Sequence, residues 1–268
     1  MSQFIKLKQR IKTVETIKKT THAMRLIAMS GHSRLKHAKD FLDLYRDSLL
    51  NFAKAVGMDE NQANVSSHTK TLAVYVGSQK GLSGSFNSNL FQFIKKQKQL
   101  FENDTIIIGK QLIDLSEQLF SSVVRKVPEI TQANYIKIAQ DLKAFVEKHG
   151  YTEIIFVANS APSFFVQKPY LITIPVFHEI RLNDSDILFD QNPAELYGQF
   201  ASLKVLTEIM FVLYESLLAE QAARFVSMDN ATRNAENMLK TMKLDYNKLR
   251  QATITRELTD LVGSRLAD

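Results

Sequence analysis

Between Pro193 and Val262 the chain carries no further proline, and Gly198 is the only glycine. Gly263 follows the last apolar residue of that run, where a helix C-terminus is expected. At about 1.5 Å rise per residue such a helix is roughly 100 Å long. No small domain can bury that length alone, so the sequence demands a long shaft attached to a compact head. The first fifty-odd residues read the same way, from near Ser2 to Val56 with Gly57 as the stop.

Apolar spacing gives both helices a coiled-coil seam. In the C-terminal segment Leu196, Phe200, Leu203, Leu206, Met210, Leu213 and Leu217 step by three or four. The seam resumes at Phe225, Met228, Thr232, Ala235, Leu239, Met242, Tyr246, Leu249 and Thr253. Between Leu217 and Phe225 two steps of four meet at the polar Gln221, an offset that relaxes a left-handed supercoil. The N-terminal seam runs through Leu35, Ala38, Leu42, Tyr45, Leu49, Phe52 and Val56. Upstream it continues as Leu7, Ile11 and Val14 and loosens through Lys18, Thr21 and Met24. One helix near each end, with a domain inserted between, is most simply satisfied by antiparallel pairing.

That inserted segment alternates strands and helices. Strands are expected at Thr71–Gly77, Thr105–Gly109, Ser122–Val127, Thr152–Asn159 and Lys168–Phe177. Helices are expected at Asn87–Phe101, Gln111–Phe120 and Tyr135–Lys148, the last closed by Gly150. Such alternation implies βαβ units and a largely parallel sheet. The expected division is 1–57 and 193–268 for the paired helices and 70–192 for the α/β domain, with polar linkers at MDENQANVSSHTK and LNDSDILFDQNP.

Charge is distributed unevenly. Residues 1–40 hold ten Lys/Arg against two acids, a net +8, while the whole chain is only +6. The N-terminal helix therefore wants an acidic partner: nucleic acid, anionic lipid or an acidic protein surface. Cysteine is absent, which removes disulfides and thiolate chemistry. No apolar run reaches the length of a membrane-spanning helix, and the N-terminus is amphipathic rather than signal-like.

Catalytic patterns are missing. A glycine loop after the first strand invites a nucleotide site, but Gly77, Gly81 and Gly84 fit neither a phosphate loop nor a dinucleotide fingerprint, and Lys80 precedes its glycine. His32 and His37 are five residues apart, so they do not share a helix face as a metal pair would. Asp184, Asp186 and Asp190 lack the glycine and terminal glutamate of a calcium loop. No catalytic and no metal or cofactor residues are expected.

Residues 218–262, LAEQAARFVSMDNATRNAENMLKTMKLDYNKLRQATITRELTDLV, closely resemble the C-terminal helix of the gamma subunit of F-type ATP synthases. The matching positions are Glu220, Ala222, Ala223, Arg224, Met228, Ala231, Thr232, Asn234 and Ala235, then Tyr246, Asn247, Arg250, Gln251, Ile254, Thr255, Glu257 and Leu258. Residues 8–39 resemble that family's N-terminal helix, and KGLSGSFN at 80–87 its glycine loop. Gly31 stands where the family often has lysine; Gln79, Ser83, Ser85 and Gln191 also depart from its pattern.

The resemblance implies a fold and a set of partners. The fold is a long antiparallel coiled coil of N- and C-terminal helices with an inserted Rossmann-like, mostly parallel α/β domain. The function is that of a central rotor shaft, a non-catalytic subunit that carries torque between a membrane ion-translocating ring and catalytic subunits that make or hydrolyse ATP. Partners would be the alpha and beta subunits, an epsilon-type subunit and the membrane ring of c subunits, with one copy of this chain per complex. ATP, ADP and magnesium would be bound by those partners. The expected location is the cytoplasmic face of a bacterial inner membrane, peripherally attached, since no presequence precedes the first helix, with an organellar inner membrane as the alternative for a processed chain. Arg250, Gln251 and Thr255 would bond catch loops of the catalytic ring. Lys18, Lys19, Met24 and Arg25 would face an acidic lever loop, Lys80, Gly81, Gly84 and Asn87 would shape a loop near the ring, and Phe189 and Asp190 would touch the membrane ring or the epsilon-type subunit. The alternatives are a specialised gamma-like ATPase subunit and a basic coiled coil that binds nucleic acid. The latter would bind DNA with a steep salt dependence.

Overall fold

A computed structural model describes residues 2–55, 70–116, 119–120, 122–176 and 193–265. Residues 58–69 and 182–192 of the expected linkers, with the foot residues Phe189 and Asp190, lie outside the described residues. The elements are α1 (Ser2–Ala55), β1 (Thr71–Val76), α2 (Phe86–Lys96), β2 (Asp104–Ile108), α3 (Lys110–Ser116), β3 (Val123–Val127), α4 (Tyr135–His149), β4 (Glu153–Ser163), β5 (Val166–Pro175) and α5 (Pro193–Arg265). Two compact units result, one formed by residues 28–224 and the other by residues 1–27 with 225–268.

In the larger unit the strands form one sheet in the order β3-β2-β1-β4-β5. The first four are parallel, as expected from the alternation. The fifth, β5, runs antiparallel to β4 from Glu153–Pro175 to Ser163–Val166, so the sheet is mostly parallel, as expected. The connection is a tight hairpin, which only an antiparallel pair permits. Both strands extend past the ends read from sequence, since β4 continues through Pro162 to Ser163. A register shift between Ser160 and Ser163 accommodates the proline.

Helices cover both faces of the sheet, which explains why TLAVYV and TIII are apolar without interruption. Alternate residues divide between the two faces. Leu72, Val74, Val76, Ile106, Ile108, Ile154 and Phe156 pack with α1, α4 and α5 residues such as Leu35, Leu142, Ile209 and Leu213. Ala73, Tyr75, Ile107 and Val157 pack with Leu90 and Ile94 of α2 and Leu112 of α3. Helix α4 ends where expected: Gly150 is left-handed at φ 67°, and the Tyr151 amide returns to the Val146 carbonyl at 3.1 Å.

The seam of α5 needs correction in this unit. Leu203 is exposed, while Tyr197, Ala201, Val205, Ile209 and Val212 are buried. Here α5 packs against the sheet as well as α1, so its apolar stripe is wider than a two-helix seam. On α1, Leu35 and Leu42 are buried as expected, but Tyr45 and Phe52 are exposed and Ala53 takes the inner place. Arg46 pairs in two-pronged fashion with Glu208 at 2.7 and 2.9 Å. Gly31 lies within α1, and a Cβ placed there would sit 3.3 Å from Oε1 of Gln221. The polar offset in one seam therefore faces the glycine in the other.

In the smaller unit the expected seam holds as far as Tyr246, but Leu249 and Thr253, also expected on it, are exposed because no helix faces them among the described residues. Val14, Ala235, Leu239 and Met242 are buried together, flanked by Leu7 and Ile11. The pairing is antiparallel: Lys18 meets Glu236, Arg25 meets Asp229, and Glu15 meets Lys243. Gly263 does not stop the helix, which runs on to Arg265, a difference within the ordinary spread of helix ends.

Candidate functional site

Chemistry in the smaller unit begins where the seam turns polar. Thr232 is buried, its hydroxyl donating to the Met228 carbonyl at 2.7 Å and lying 2.9 Å from the Thr21 hydroxyl. That layer is why the sequence pattern loosens at Thr21: the position is still inward, but a threonine pair fills it. Around it two of the three cations expected to await an acidic lever, Lys18 and Arg25, are already engaged. Lys18 lies 2.9 Å from Glu236, and Arg25 Nη1 lies 2.6 Å from Asp229, which also receives Arg233 at 2.9 Å. The Arg25 hydrogen bond holds the Asp229 carboxyl below the ordinary carboxylate range. Lys19 is exposed and Met24 half-buried.

Phe4 stacks on Tyr246 with ring centroids 4.6 Å apart. Beyond that stack every residue from Asn247 to Thr259 is exposed. Arg250, Gln251 and Thr255 all lie in this bare stretch, with the Thr255 hydroxyl donating to the Gln251 carbonyl at 2.9 Å. So do Leu249, Ile254 and Leu258, which are large, apolar and exposed. About 20 Å of helix at 1.5 Å per residue thus stands without a tertiary partner among the described residues. Isolated helices of such length are marginal in water, so a surrounding partner is the physical expectation.

The glycine loop belongs to the larger unit. Gly77 ends β1 so close to α3 that an added Cβ would lie 2.5 Å from Cβ of Leu112. Asn87 is buried and braces the turn: its Oδ1 accepts the Ser78 amide at 3.0 Å, and its Nδ2 donates to Ser78 Oγ at 2.6 Å. Ser78 Oγ then donates to the Lys80 carbonyl at 2.9 Å. Gly84 is left-handed at φ 61°, and Leu82, at φ 67°, shares that conformation and points outward. Lys80 is exposed.

A role missed in the sequence belongs to Glu220 of α5. It is 5% exposed and pairs with Arg224, whose Nη2 also donates to the Lys80 carbonyl at 3.4 Å. Burial nonetheless pushes its carboxyl above the usual range. Phe86 packs on Ala219 and Ala223, whose small side chains allow the loop to approach the helix. The only signal available was that both motifs occur in one chain; nothing in either spacing joins them.

The profile of the family described as ATP synthase matches residues 3–267. The chain belongs to the ATP synthase gamma family. Among curated relatives, the ATP synthase gamma chain of Mycoplasmopsis pulmonis is 28% identical over 98% of this chain and 99% of its own length. That of Syntrophus aciditrophicus is 26% identical over 96% and 95%. The fold is that of a chain in the Euglena gracilis mitochondrial ATP synthase (OSCP/F1/c-ring, rotational state 3), at 15% identity and a TM-score of 0.73, covering 99% of this chain and 94% of that one.

Among the described residues no group of three or more His, Asp or Glu is placed to hold a metal ion. The cavity between β3 and α4, about 290 Å³, is lined by Arg125 and Lys137 on one side of the charge balance and Glu129 and Asp141 on the other. No described helix is long and apolar enough to cross a membrane.

Proposed function

We propose that this gamma-family chain is the central rotor shaft of an F-type ATP synthase. It couples a membrane ion-translocating ring to alpha and beta subunits that make or hydrolyse ATP, and one copy serves each complex. The observation that carries the reading is the bare end of α5, exposed from Asn247 to Thr259. A helix with polar and apolar groups on every side suits a sleeve in which it turns, because no single face is specialised for one partner. Arg250, Gln251 and Thr255 offer a fork of donors, an amide and a hydroxyl to loops of that sleeve.

Lys18 and Arg25 act mainly in holding α1 to α5, since their charges are partnered there. The attraction for an acidic lever then rests on Lys19 and the exposed cations nearer the N-terminus, with Met24 bridging seam and surface. Lys80 and Gly81 are presented by a loop that Gly84 and Asn87 hold in shape. Phe189 and Asp190 are assigned to the foot, with an epsilon-type subunit and the membrane ring as partners. Nucleotide and magnesium belong to the alpha and beta subunits, and attachment to the membrane is through the ring. Coupling between catalytic sites and shaft is then a difference in contacts among rotary states.

The test is assembly of the full chain with its alpha and beta subunits. Amides of 247–259 should gain protection from exchange on assembly, and ATP should drive rotation of a probe on the larger unit. A complex in which 247–259 remains as exposed as in the isolated chain sinks the reading. Salt-sensitive DNA binding by the full chain, without such assembly, would favour the nucleic-acid alternative, against which the pairing of Lys18 and Arg25 already counts.

A further inference from the structure

The contact between α1 and α5 changes character at Arg46. On one side of it Leu42 joins Val205, Ile209 and Leu213 in the apolar layer against the sheet. On the other side a small cluster holds the two helices: Ala53, Tyr197 and Phe200, with Leu49 at its edge. Phe52, expected on the seam, is exposed there and only tilts against Phe200, with ring centroids 5.8 Å apart. Apolar burial is non-directional, and packed helices have alternative fits about one turn, 5.4 Å, apart along their axes. So small a cluster leaves the axial register of this end weakly specified.

A polar knot stands at that border. Arg46 donates from Nε and Nη2 to the two carboxylate oxygens of Glu208 at 2.7 and 2.9 Å. Its guanidinium lies 4.4 Å from the centre of the Phe211 ring, and Lys39 Nζ lies over the same ring at 4.9 Å. From the edge strand β5, Tyr170 donates to Glu215 of α5 at 3.1 Å. Only 30% of the Arg46 side chain and 12% of the Glu208 side chain remain exposed. Drying a pair to that extent offsets much of its attraction, and apolar pairs of similar volume often fold as stably. Direction is what the fork adds: a slide of one turn carries Glu208 out of reach of both donors.

We propose that Arg46 is a positioning residue that sets the register of α1 on α5, its pair with Glu208 contributing uniqueness rather than stability. Phe211 backs the guanidinium, and Tyr170 ties α5 to the sheet edge two turns further along. Helices α1 and α5 and strand β5 are thereby held as one body at the point where the apolar layer thins out. A shaft that carries torque needs such a lock, because helices joined by apolar contact alone can slip under load. The proposal goes beyond the rotor reading and is tested on the isolated chain, so either can fail without the other.

Cysteine is absent, so spin labels carried by Ser33→Cys and Gln199→Cys report one distance in the full chain. Both sites are exposed and lie on opposite sides of the Arg46–Glu208 contact, which makes their separation sensitive to sliding. Arg46→Met and Glu208→Met are introduced together, since removing one partner would strand the other charge. The expected result is a distance distribution about twice as wide as in the wild type, or one with a second component shifted by about 5 Å. The urea midpoint should be unchanged or higher. Arg46→Lys keeps the charge but loses the fork, and should give an intermediate width. A narrow, unshifted distribution in the double variant overturns the proposal, because the apolar contacts would then set the register alone. So does a lower urea midpoint with the distribution unchanged, which marks an ordinary stabilising pair. If the double variant does not fold, Arg46→Lys alone decides: a wild-type width overturns the proposal, and a widened one supports it.

Discussion

Replacing Gly31 by alanine should stabilise the protein, although the site is crowded. Glycine within a helix costs about 0.8–1.0 kcal/mol relative to alanine. Against that gain stands one neighbour: the new methyl would lie 3.3 Å from Oε1, 3.4 Å from Cδ and 3.7 Å from Cγ of Gln221. All three atoms belong to one flexible side chain, so a shift of a few tenths of an ångström relieves the contact. Even a side chain forced well off its rotamer costs only about 0.5–1.5 kcal/mol, and this shift is smaller. The net expectation is a gain of roughly 0.5 kcal/mol. Gly31→Leu, which cannot be relieved so cheaply, should lose about 1–3 kcal/mol by overpacking. The assay is urea unfolding of the full chain, followed through exchange of the protected β1 amides so that the larger unit is read separately from the smaller. Gln221→Ala combined with Gly31→Ala should recover the full helix-propensity gain of about 1 kcal/mol. If Gly31→Ala instead lost more than about 1 kcal/mol, the facing side chain would have to be rigidly held and the reasoning would be refuted.

Three further outcomes follow from the geometry. Gly109→Ala should cost about 2–5 kcal/mol or prevent folding of the sheet unit, because φ is +99° and a Cβ would meet the Gly77 carbonyl oxygen at 2.4 Å; thermal unfolding checks it. A double-mutant cycle on Arg25 and Asp229 should give about 0.5–1 kcal/mol at neutral pH, modest because both groups keep solvent contact. Since the folded carboxyl titrates below its unfolded value of about 3.9, that stability is present above the unfolded value and vanishes as pH falls through the folded one. Urea midpoints of wild type and Asp229→Asn across acid pH measure the difference. Leu239→Ala should lose about 2–4 kcal/mol from the smaller unit, whereas Leu258→Ala should leave the isolated chain unchanged and weaken its assembly with the alpha and beta subunits.

What the sequence made legible follows from how local each signal is. The heptad of the smaller unit could be read because only two helices meet there, so spacing and burial coincide from Met228 to Met242. Along 196–217 the same rule chose Leu203 over Val205, since spacing within one helix carries no trace of a sheet packed on its flank. The central parallel strands β1 and β2 announced themselves as unbroken apolar runs, while the antiparallel return of β5 did not, because an apolar strand pattern carries no direction. At the candidate site, the bare tip could be located from the resemblance and the polar loop from its glycines. The pairing of Lys18 and Arg25 with carboxylates more than 200 positions away could not, and neither could the reach of Arg224 to the Lys80 carbonyl. Electrostatic partners across such separations leave no periodic mark.

The uncovered end of α5 also bears on the life of a copy that has not yet been assembled. Thirteen successive exposed residues, three of them large and apolar, form a segment that frays readily and suits the cleft of a protease or the grip of a chaperone. Only enclosure hides it. A cell that makes this chain in excess would therefore find the surplus removed from that end first, which sets the number of surviving copies by the number of rings ready to receive them.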